Sequence, residues 1–136
     1  MPRQLVDELA GWFRQLERCV NSVDYETAAR ELFAPDVIGF GTKAHLVVGL
    51  DGLRAEQWQR VWPNIRDFRF DLDGLRCGAA PAGERAELAW AVTTWSSTGF
   101  DDQGRPFERP GRATVLFRRQ GERWLALHSH FSLAPR

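Results

Sequence analysis

Apolar side chains recur at helical spacing in the first part of the chain. Residues 4 to 20 carry them three and four positions apart, which predicts an amphipathic first helix. Asp24 can cap a second helix, because its carboxylate can accept hydrogen bonds from the free amides of the first turn. This helix runs to about Phe33 and ends in the segment 34–36, where Pro35 lacks an amide donor.

A hairpin and a third helix follow. Two short β runs, 37–40 and 46–48, flank a polar turn and predict the hairpin. Asp51 is placed to cap the third helix, whose apolar residues face inward and which Pro63 closes.

Alternating patterns dominate the rest of the chain and predict four long strands. The first strand begins near residue 67, and a bulge near Gly74 would explain the shift in its apolar phase. A turn over 79–83 leads to the second strand, which begins at Glu84. The order α-α-β-β-α-β-β-β-β predicts an α+β fold, in one domain over residues 1–136. A strongly bent sheet over three helices would enclose a cavity.

The last strand, 121–133, is rich in residues able to do chemistry, and two of the three histidines lie in it. Regular alternation would put both histidines on one face. This face comprises Trp124, Ala126, His128, His130 and Ser132. Leu127, Ser129 and Phe131 would lie on the opposite face, and neither face is plainly polar. We therefore expect both faces to be at least partly covered.

Charge and cysteine content narrow the function classes. The formal net charge is +0, which argues against a nucleic acid or an anionic membrane as partner. No apolar run approaches the length of about 18 residues that spans a bilayer, and no signal-peptide core precedes the first helix, so we expect a cytoplasmic protein. Cys19 and Cys77 are far apart and fit no metal spacing. We expect free thiols, no metal and no cofactor.

Several stretches together resemble the nuclear transport factor 2-like (NTF2-like) superfamily. They are Val23–Glu26, Phe33–Asp36, Leu46–Asp51 and the closing pattern of Trp124 followed by His128-Ser129-His130-Phe131-Ser132. Within the superfamily the chain is most similar to the SnoaL-like group, which includes the association domain of calcium/calmodulin-dependent kinase II. Ketosteroid isomerase has the same fold. The resemblance covers almost the whole chain. It implies a cone of three N-terminal helices packed on a strongly curved antiparallel sheet, and a homodimer formed through that sheet.

The resemblance also allows the family's known sites to be tested. The carboxylate base of ketosteroid isomerase has no counterpart in 37–41, which contains neither Asp nor Glu. The association domain holds small carboxylates with arginines and a histidine. The corresponding positions here are Trp95, Thr114 and Phe131, with Leu53 near the histidine's place. The resemblance therefore implies an uncharged, aromatic or hydrophobic ligand. It also turns Leu127, Ser129 and Phe131 toward the cavity, and the histidines away from it.

These arguments predict a small-molecule-binding protein with an apolar, aromatic pocket. The expected ligand-binding residues are Phe40, Trp58, Trp62, Trp95, Thr114, Ser129 and Phe131. The ligand would be a hydrophobic or polyketide-like metabolite, which an enzyme of this type isomerises, cyclises or dehydrates without a cofactor. Candidate catalytic residues are His128, His130 and Arg112. For the two histidines we favour support of the sheet or of a subunit contact, with acid/base chemistry as the alternative. The alternative is a non-catalytic ligand-binding or oligomerisation module.

Overall fold

A computed structural model describes residues 3–81 and 85–135, with the side chain of Arg3 excepted. The chain begins with two helices, α1 (Arg3–Ser22) and α2 (Tyr25–Glu31), followed by a hairpin of β1 (Phe33–Phe40) and β2 (Val47–Val48). A third helix leads into five further strands. They are β3 (Arg66–Phe70), β4 (Arg76–Ala80), β5 (Leu88–Phe100), β6 (Pro106–Gln120) and β7 (Arg123–Leu133).

The third helix, α3, changes its hydrogen-bonding pattern along its length. It is α-helical over Leu50–Leu53, π-helical over Arg54–Trp58, α-helical over Gln59–Val61 and 3-10 over Trp62–Asn64. A π segment inserts an extra residue into a helical turn, and such segments are frequent at functional sites. Gly49, with a positive φ of 95°, occupies the N-cap position of α3. The predicted cap at Asp51 is therefore wrong, because Asp51 lies inside the first turn.

The strands form one sheet in the order β2-β1-β7-β6-β5-β3, and β4 also pairs with β5. Strand β1 runs parallel to β7, whereas the other pairs are antiparallel. The structure confirms the predicted α+β class, with three helices on a curved sheet. The sheet is mixed, because β1 runs parallel to its neighbour β7, the last strand of the chain.

Of the predicted local features, the helix cap at Asp24 is confirmed and the bulge near Gly74 is wrong. Asp24 caps α2, since its Oδ1 accepts a hydrogen bond of 3.1 Å from the amide of Thr27. The predicted bulge near Gly74 is instead a turn that divides one predicted strand into β3 and β4. In this turn the amide of Gly74 donates to Oδ1 of Asp71, at 3.1 Å. Residues 82–84, which belong to the predicted turn and to the predicted start of the next strand, lie outside the described residues.

A β-bulge at Leu127 decides which residues of β7 share a face. His128 pairs with Leu116, but Ala126 pairs with Phe117, the very next residue of β6. Leu127 is therefore an extra residue, and the side-chain alternation is offset across it. Ala126 lies on the same face as Ser129, and our expectation that it shares a face with the histidines is wrong.

The hydrophobic core lies between the helices and the concave face of this sheet. Phe13 of α1 is fully buried, with its ring centroid 4.8 Å from that of Phe70. Trp12 packs edge-on against Phe117 and donates from Nε1 to the carbonyl of Leu32 at 2.9 Å. These contacts hold α1 across the sheet. In the described part of the chain, no helix is long and apolar enough to span a bilayer.

Candidate functional site

A small cavity lies between α3, the end of α1 and the concave face of the sheet. Its volume is about 50 Å³. Apolar side chains form most of its wall, together with a few polar groups. The lining comprises Leu16, Val20, Phe33, Phe40, Thr42, Leu53, Gln57, Trp58, Val61, Trp62, Ile65, Phe68, Trp95, Arg109, Ser129 and Phe131. The lining residues come from both ends of the chain, so tertiary folding alone assembles this space.

Two tryptophans of α3 form one wall. Trp58 and Trp62 are four residues apart and therefore lie on the same side of the helix. Their rings stack with centroids 4.8 Å apart and an interplanar angle of 18°. Tyr25 of α2 stacks on the outer side of this pair, 5.4 Å from Trp62. The wall is consequently held from behind by a third ring.

The opposite wall is formed by the sheet. Trp95 of β5 lies with its ring centroid 5.5 Å from that of Phe68 and 6.4 Å from that of Phe131. Its indole nitrogen donates to the backbone carbonyl of Arg112 at 3.1 Å. The hydrogen bond fixes the orientation of the indole, so its polar edge is satisfied by the sheet.

Polar groups gather at one corner of the cavity, where the β1–β2 turn meets α3. The buried Gln57 accepts hydrogen bonds at Oε1 from the amides of Lys43 and Ala44, at 2.8 and 2.9 Å. Its Nε2 donates to Oγ1 of Thr42 at 2.9 Å. Gln57 thus ties the hairpin turn to α3. Because its oxygen is used by two amides, its nitrogen is the end that faces Thr42.

Arg109 brings a positive charge to this corner. Its guanidinium donates to Oγ of Ser97 at 2.8 Å and to Oγ1 of Thr42 at 3.4 Å, and lies 5.4 Å from the centroid of the Trp95 ring. Burial lowers the pKa of Arg109 from its ordinary value, because the charged form loses hydration. Among the described residues no carboxylate lies within ion-pair distance of it. Its partners are therefore neutral hydroxyls and an aromatic face.

A larger surface depression of about 400 Å³ lies against the same arginine. It shares Val61, Ile65 and Arg109 with the cavity. Lys43 and Arg60 also line it, and its lining contains no Asp or Glu. We call this depression the vestibule. Arg109 thus lines both the aromatic cavity and this basic depression.

Most of the residues that we predicted around the ligand lie together. Phe40, Trp58, Trp62, Trp95, Ser129 and Phe131 all line the cavity. Thr114 does not. It pairs with His130 on the convex face, because its neighbours Ala113 and Val115 take the buried positions of β6. The expected place of Thr114 in the cavity wall is therefore corrected.

The candidate catalytic residues lie on the convex face. Arg112 is exposed and alternates in phase with Thr114. Nδ1 of His128 lies 2.8 Å from the carbonyl oxygen of Ile38, and His130 is exposed beside Phe40, with ring centroids 5.1 Å apart. None of the three lines the cavity. Within residues 3–81 and 85–135 no group of three His, Cys, Asp or Glu could hold a metal ion.

The sequence patterns did not identify Arg109, Gln57 or Thr42 as site residues. A signal for Arg109 was present, because Ala113 and Val115 mark the inward phase of β6. That phase, followed back two residues at a time, reaches Gly111 and then Arg109. The roles of Gln57 and Thr42 could not be read from spacing, since both depend on how the hairpin turn docks on α3.

Comparison with known proteins assigns the family. The family model of the SnoaL-like domain matches residues 11–136. No functionally curated protein matches the chain.

Solved structures with the same fold are numerous. An NTF2-like protein of unknown function from Pseudomonas putida is 25% identical over 99% of this chain and 89% of its own, with a TM-score of 0.75. The association domain of calcium/calmodulin-dependent kinase II from C. elegans is 16% identical over 93% of each chain, with a TM-score of 0.69. A protein from Streptomyces avermitilis with a suggested dehydratase role is 18% identical over 99% of this chain and 100% of its own, with a TM-score of 0.74. The chain therefore belongs to the SnoaL-like domain family of the NTF2-like superfamily.

Proposed function

We propose that this protein binds a small, largely apolar molecule in the aromatic cavity. The observation that carries the proposal is an internal space between α3 and the sheet, walled by stacked and edge-packed rings and ending in a polar corner. Aromatic walls with a few placed polar groups are the usual composition of small-molecule sites. The hydrogen bonds of Gln57 and Trp95 fix the positions of these walls.

The volume limits the size of the ligand. The cavity measures about 50 Å³, whereas an apolar cavity that binds benzene measures roughly 150 Å³. A polyketide-sized molecule does not fit inside, and even one ring would require a lining side chain to turn. Phe40 is the exposed member of the lining, and its ring packs against those of His128 and His130. We therefore favour a small ligand, or a ligand that places only one end in the cavity.

Binding fits the lining better than proton-transfer catalysis. An isomerase, cyclase or dehydratase moves protons and needs a group that takes one up near neutral pH. The lining contains no Asp, Glu, His, Cys, Tyr or Lys. The candidate histidines lie across the sheet, and the dehydratase role suggested for the Streptomyces avermitilis protein belongs to a chain only 18% identical. The catalytic alternative would require a ligand that supplies its own base or water held in the polar corner.

Ligand-induced changes in tryptophan fluorescence and melting temperature test this proposal. A panel of small aromatic and branched aliphatic compounds should contain ligands that raise the melting temperature. Ser129→Met should abolish this rise, because the buried Ser129 lines the cavity and the longer side chain fills it. Ser132→Met is the matched control, on the convex face of the same strand, and should respond like the parent. Equal responses of the two variants, or no response of the parent protein, would contradict the proposal.

A second observation favours the oligomerisation role. Four large apolar side chains and one histidine form a row across the convex face, because they are ladder partners on adjacent strands. The row comprises Val48, Ile38, His128, Leu116 and Trp90. Its apolar members range from 42% exposed at Leu116 to 73% at Val48. Such contiguous exposed apolar surface marks interaction sites in soluble proteins.

We propose that a second copy of the chain covers this row. A two-fold axis through the sheet would place each row against its equivalent, which is the simplest closed arrangement for identical surfaces. The C. elegans structure of the same fold is an association domain by name, which supports an assembly role for the fold.

Light scattering tests the dimer. Trp90→Glu and Leu116→Glu should convert the dimer to a monomer, because each buries a carboxylate in the contact. Leu46→Glu is the control, since Leu46 is 59% exposed but lies outside the row in the hairpin turn. A monomeric parent protein at high micromolar concentration, or a dimer that survives both row variants, would exclude this interface.

A further inference from the structure

We propose that the cavity and its vestibule select an organic acid, whose carboxylate binds Arg109 while its apolar end enters the aromatic cavity. This inference rests on the proposed ligand-binding function and names the class of ligand. It draws on three independent features of the site, which are the charge of Arg109, the direction of the hydrogen bonds in the polar corner and the charges of the vestibule.

The first feature is a cation without a counter-charge. A partly buried guanidinium is stabilised when an anion or several acceptors replace its lost hydration. In the described residues Arg109 contacts two hydroxyl oxygens and the face of Trp95, and these leave its charge uncompensated. By contrast, Arg54, Arg105, Arg118 and Arg119 are each within 4.0 Å of a carboxylate. A carboxylate ligand would complete the environment of Arg109.

The second feature is that the corner presents donors. Oγ1 of Thr42 accepts hydrogen bonds from both Gln57 and Arg109, so its own proton is left to be donated elsewhere. The oxygen of Gln57 is occupied by the amides of the hairpin turn. The groups that a ligand meets here are therefore N–H and O–H donors, and they match an acceptor such as a carboxylate.

The third feature is the basic vestibule. Lys43, Arg60 and Arg109 line it, and no acidic residue does. Because Arg109 lines both spaces, these cations lie beside the place where the carboxylate would bind. They would raise the local concentration of anions and attract an acid over its neutral analogue.

The two spaces also set the shape of the acid. The vestibule, about 400 Å³, has room for the hydrated head of the ligand, and the cavity, about 50 Å³, has room for a short branched chain. A single ring enters only if a side chain of the lining turns. The resemblance to the association domain implied an uncharged ligand, because the arginine positions of that domain correspond to uncharged residues here. Arg109 supplies a cation from another position.

Matched acid and amide pairs test the inference. Isovalerate against isovaleramide, and benzoate against benzamide, should differ by about tenfold or more in Kd in favour of the acids. Arg109→Gln should remove this preference, whereas Arg109→Lys should retain part of it because the charge remains. Arg112→Gln is the matched control. It removes the same charge from the same strand on the opposite face, and it should leave the preference unchanged. Added salt should weaken acid binding in the parent protein.

The outcomes separate this inference from the proposed function. If the amides bind as tightly as the acids, the site is a small-molecule site but our assignment of an acid ligand is wrong. The assignment also fails if Arg109→Gln, folded by circular dichroism, keeps the acid preference. If Arg109→Gln does not fold, Arg109→Lys decides. A reduced preference for the acids supports the assignment, because lysine keeps the charge but not the forked geometry of arginine, and a preference equal to the parent's contradicts it. If neither acids nor amides bind, the proposed function fails as well.

Discussion

The indole ring of Trp95 lies directly over Gly111, its ladder partner on β6. A Cβ atom at position 111 would overlap the ring, so only glycine leaves room for this packing. The indole also reaches the carbonyl of the next residue, Arg112, through its Nε1. The position of one cavity wall therefore depends on the absence of a side chain on the neighbouring strand.

We expect Gly111→Ala to displace Trp95 and to lower the free energy of unfolding by about 1–3 kcal/mol, as overpacking in a core does. Gly11→Ala is the control. Gly11 is an exposed helical residue whose added Cβ would meet no atom within 4 Å. In the control the free energy of unfolding should rise by about 0.5–1 kcal/mol, because alanine loses less backbone entropy than glycine when the helix forms. Chemical denaturation measures both changes, and equal stability of the two variants would contradict the packing argument.

Gln57→Met should loosen the hairpin turn. The substitution keeps the apolar volume but removes the acceptor for the amides of Lys43 and Ala44, so at least one buried amide loses its partner. We expect a loss of about 1–3 kcal/mol in the free energy of unfolding. Gln59→Met, on the exposed side of the same helix, should change stability by less than about 0.5 kcal/mol. Faster hydrogen exchange at the two turn amides in Gln57→Met would identify the cause.

The two histidines of β7 should affect stability and assembly, and leave ligand affinity unchanged. In the neutral tautomer protonated at Nδ1, and in the imidazolium form, His128 donates to the carbonyl of Ile38 and links β7 to β1. His128→Ala should therefore lower the free energy of unfolding by about 0.5–1.5 kcal/mol. His130→Ala should lower it by less, because His130 is exposed. Titration of each variant with a cavity ligand should give the parent's Kd. A selective loss of binding in either variant would return the histidines to the catalytic or binding site.

The cysteines should react at different rates with a thiol reagent. Burial raises the pKa of both thiols, which lowers the fraction of reactive thiolate at pH 7 to 8. Cys19 is buried on α1 and should react only as the protein unfolds, while the partly exposed Cys77 should react faster. Reactivity should rise with pH, and both thiols should react at the same rate in denaturant. Equal native rates would contradict the burial of Cys19.

Much of the fold could be predicted from local patterns. The apolar stripe of α1, the cap at Asp24 and the hairpin between β1 and β2 are confirmed, because each depends on residues close together in the chain. Errors came where pairing partners decide the outcome. One predicted strand became β3 and β4 because both can pair along the same strand, β5, with a turn at Gly74 between them.

The candidate site was predictable only as a set of aromatic side chains. The spacing of Trp58, Trp62 and Trp95 predicts core positions, and the resemblance assigned them to the pocket. The three side chains line one cavity. Thr114 was misplaced because the resemblance assigned it to the pocket. Arg109 was missed because the inward phase of Ala113 and Val115 was not followed back along β6.

For this protein the sequence by itself determined the helices, the positions of most strands and the supply of large aromatic side chains, since these depend on local periodicity. The tertiary structure decided which side chains of each strand face the cavity. A single extra residue at Leu127 offsets the alternation of β7, so that Ala126 and Ser129 share the cavity face while His128 lies on the other. The tertiary structure also brought Arg109 beside Trp95 and Thr42, which are distant from it in the chain. Such juxtapositions follow from strand register and helix docking, which are set by the packing of the whole domain.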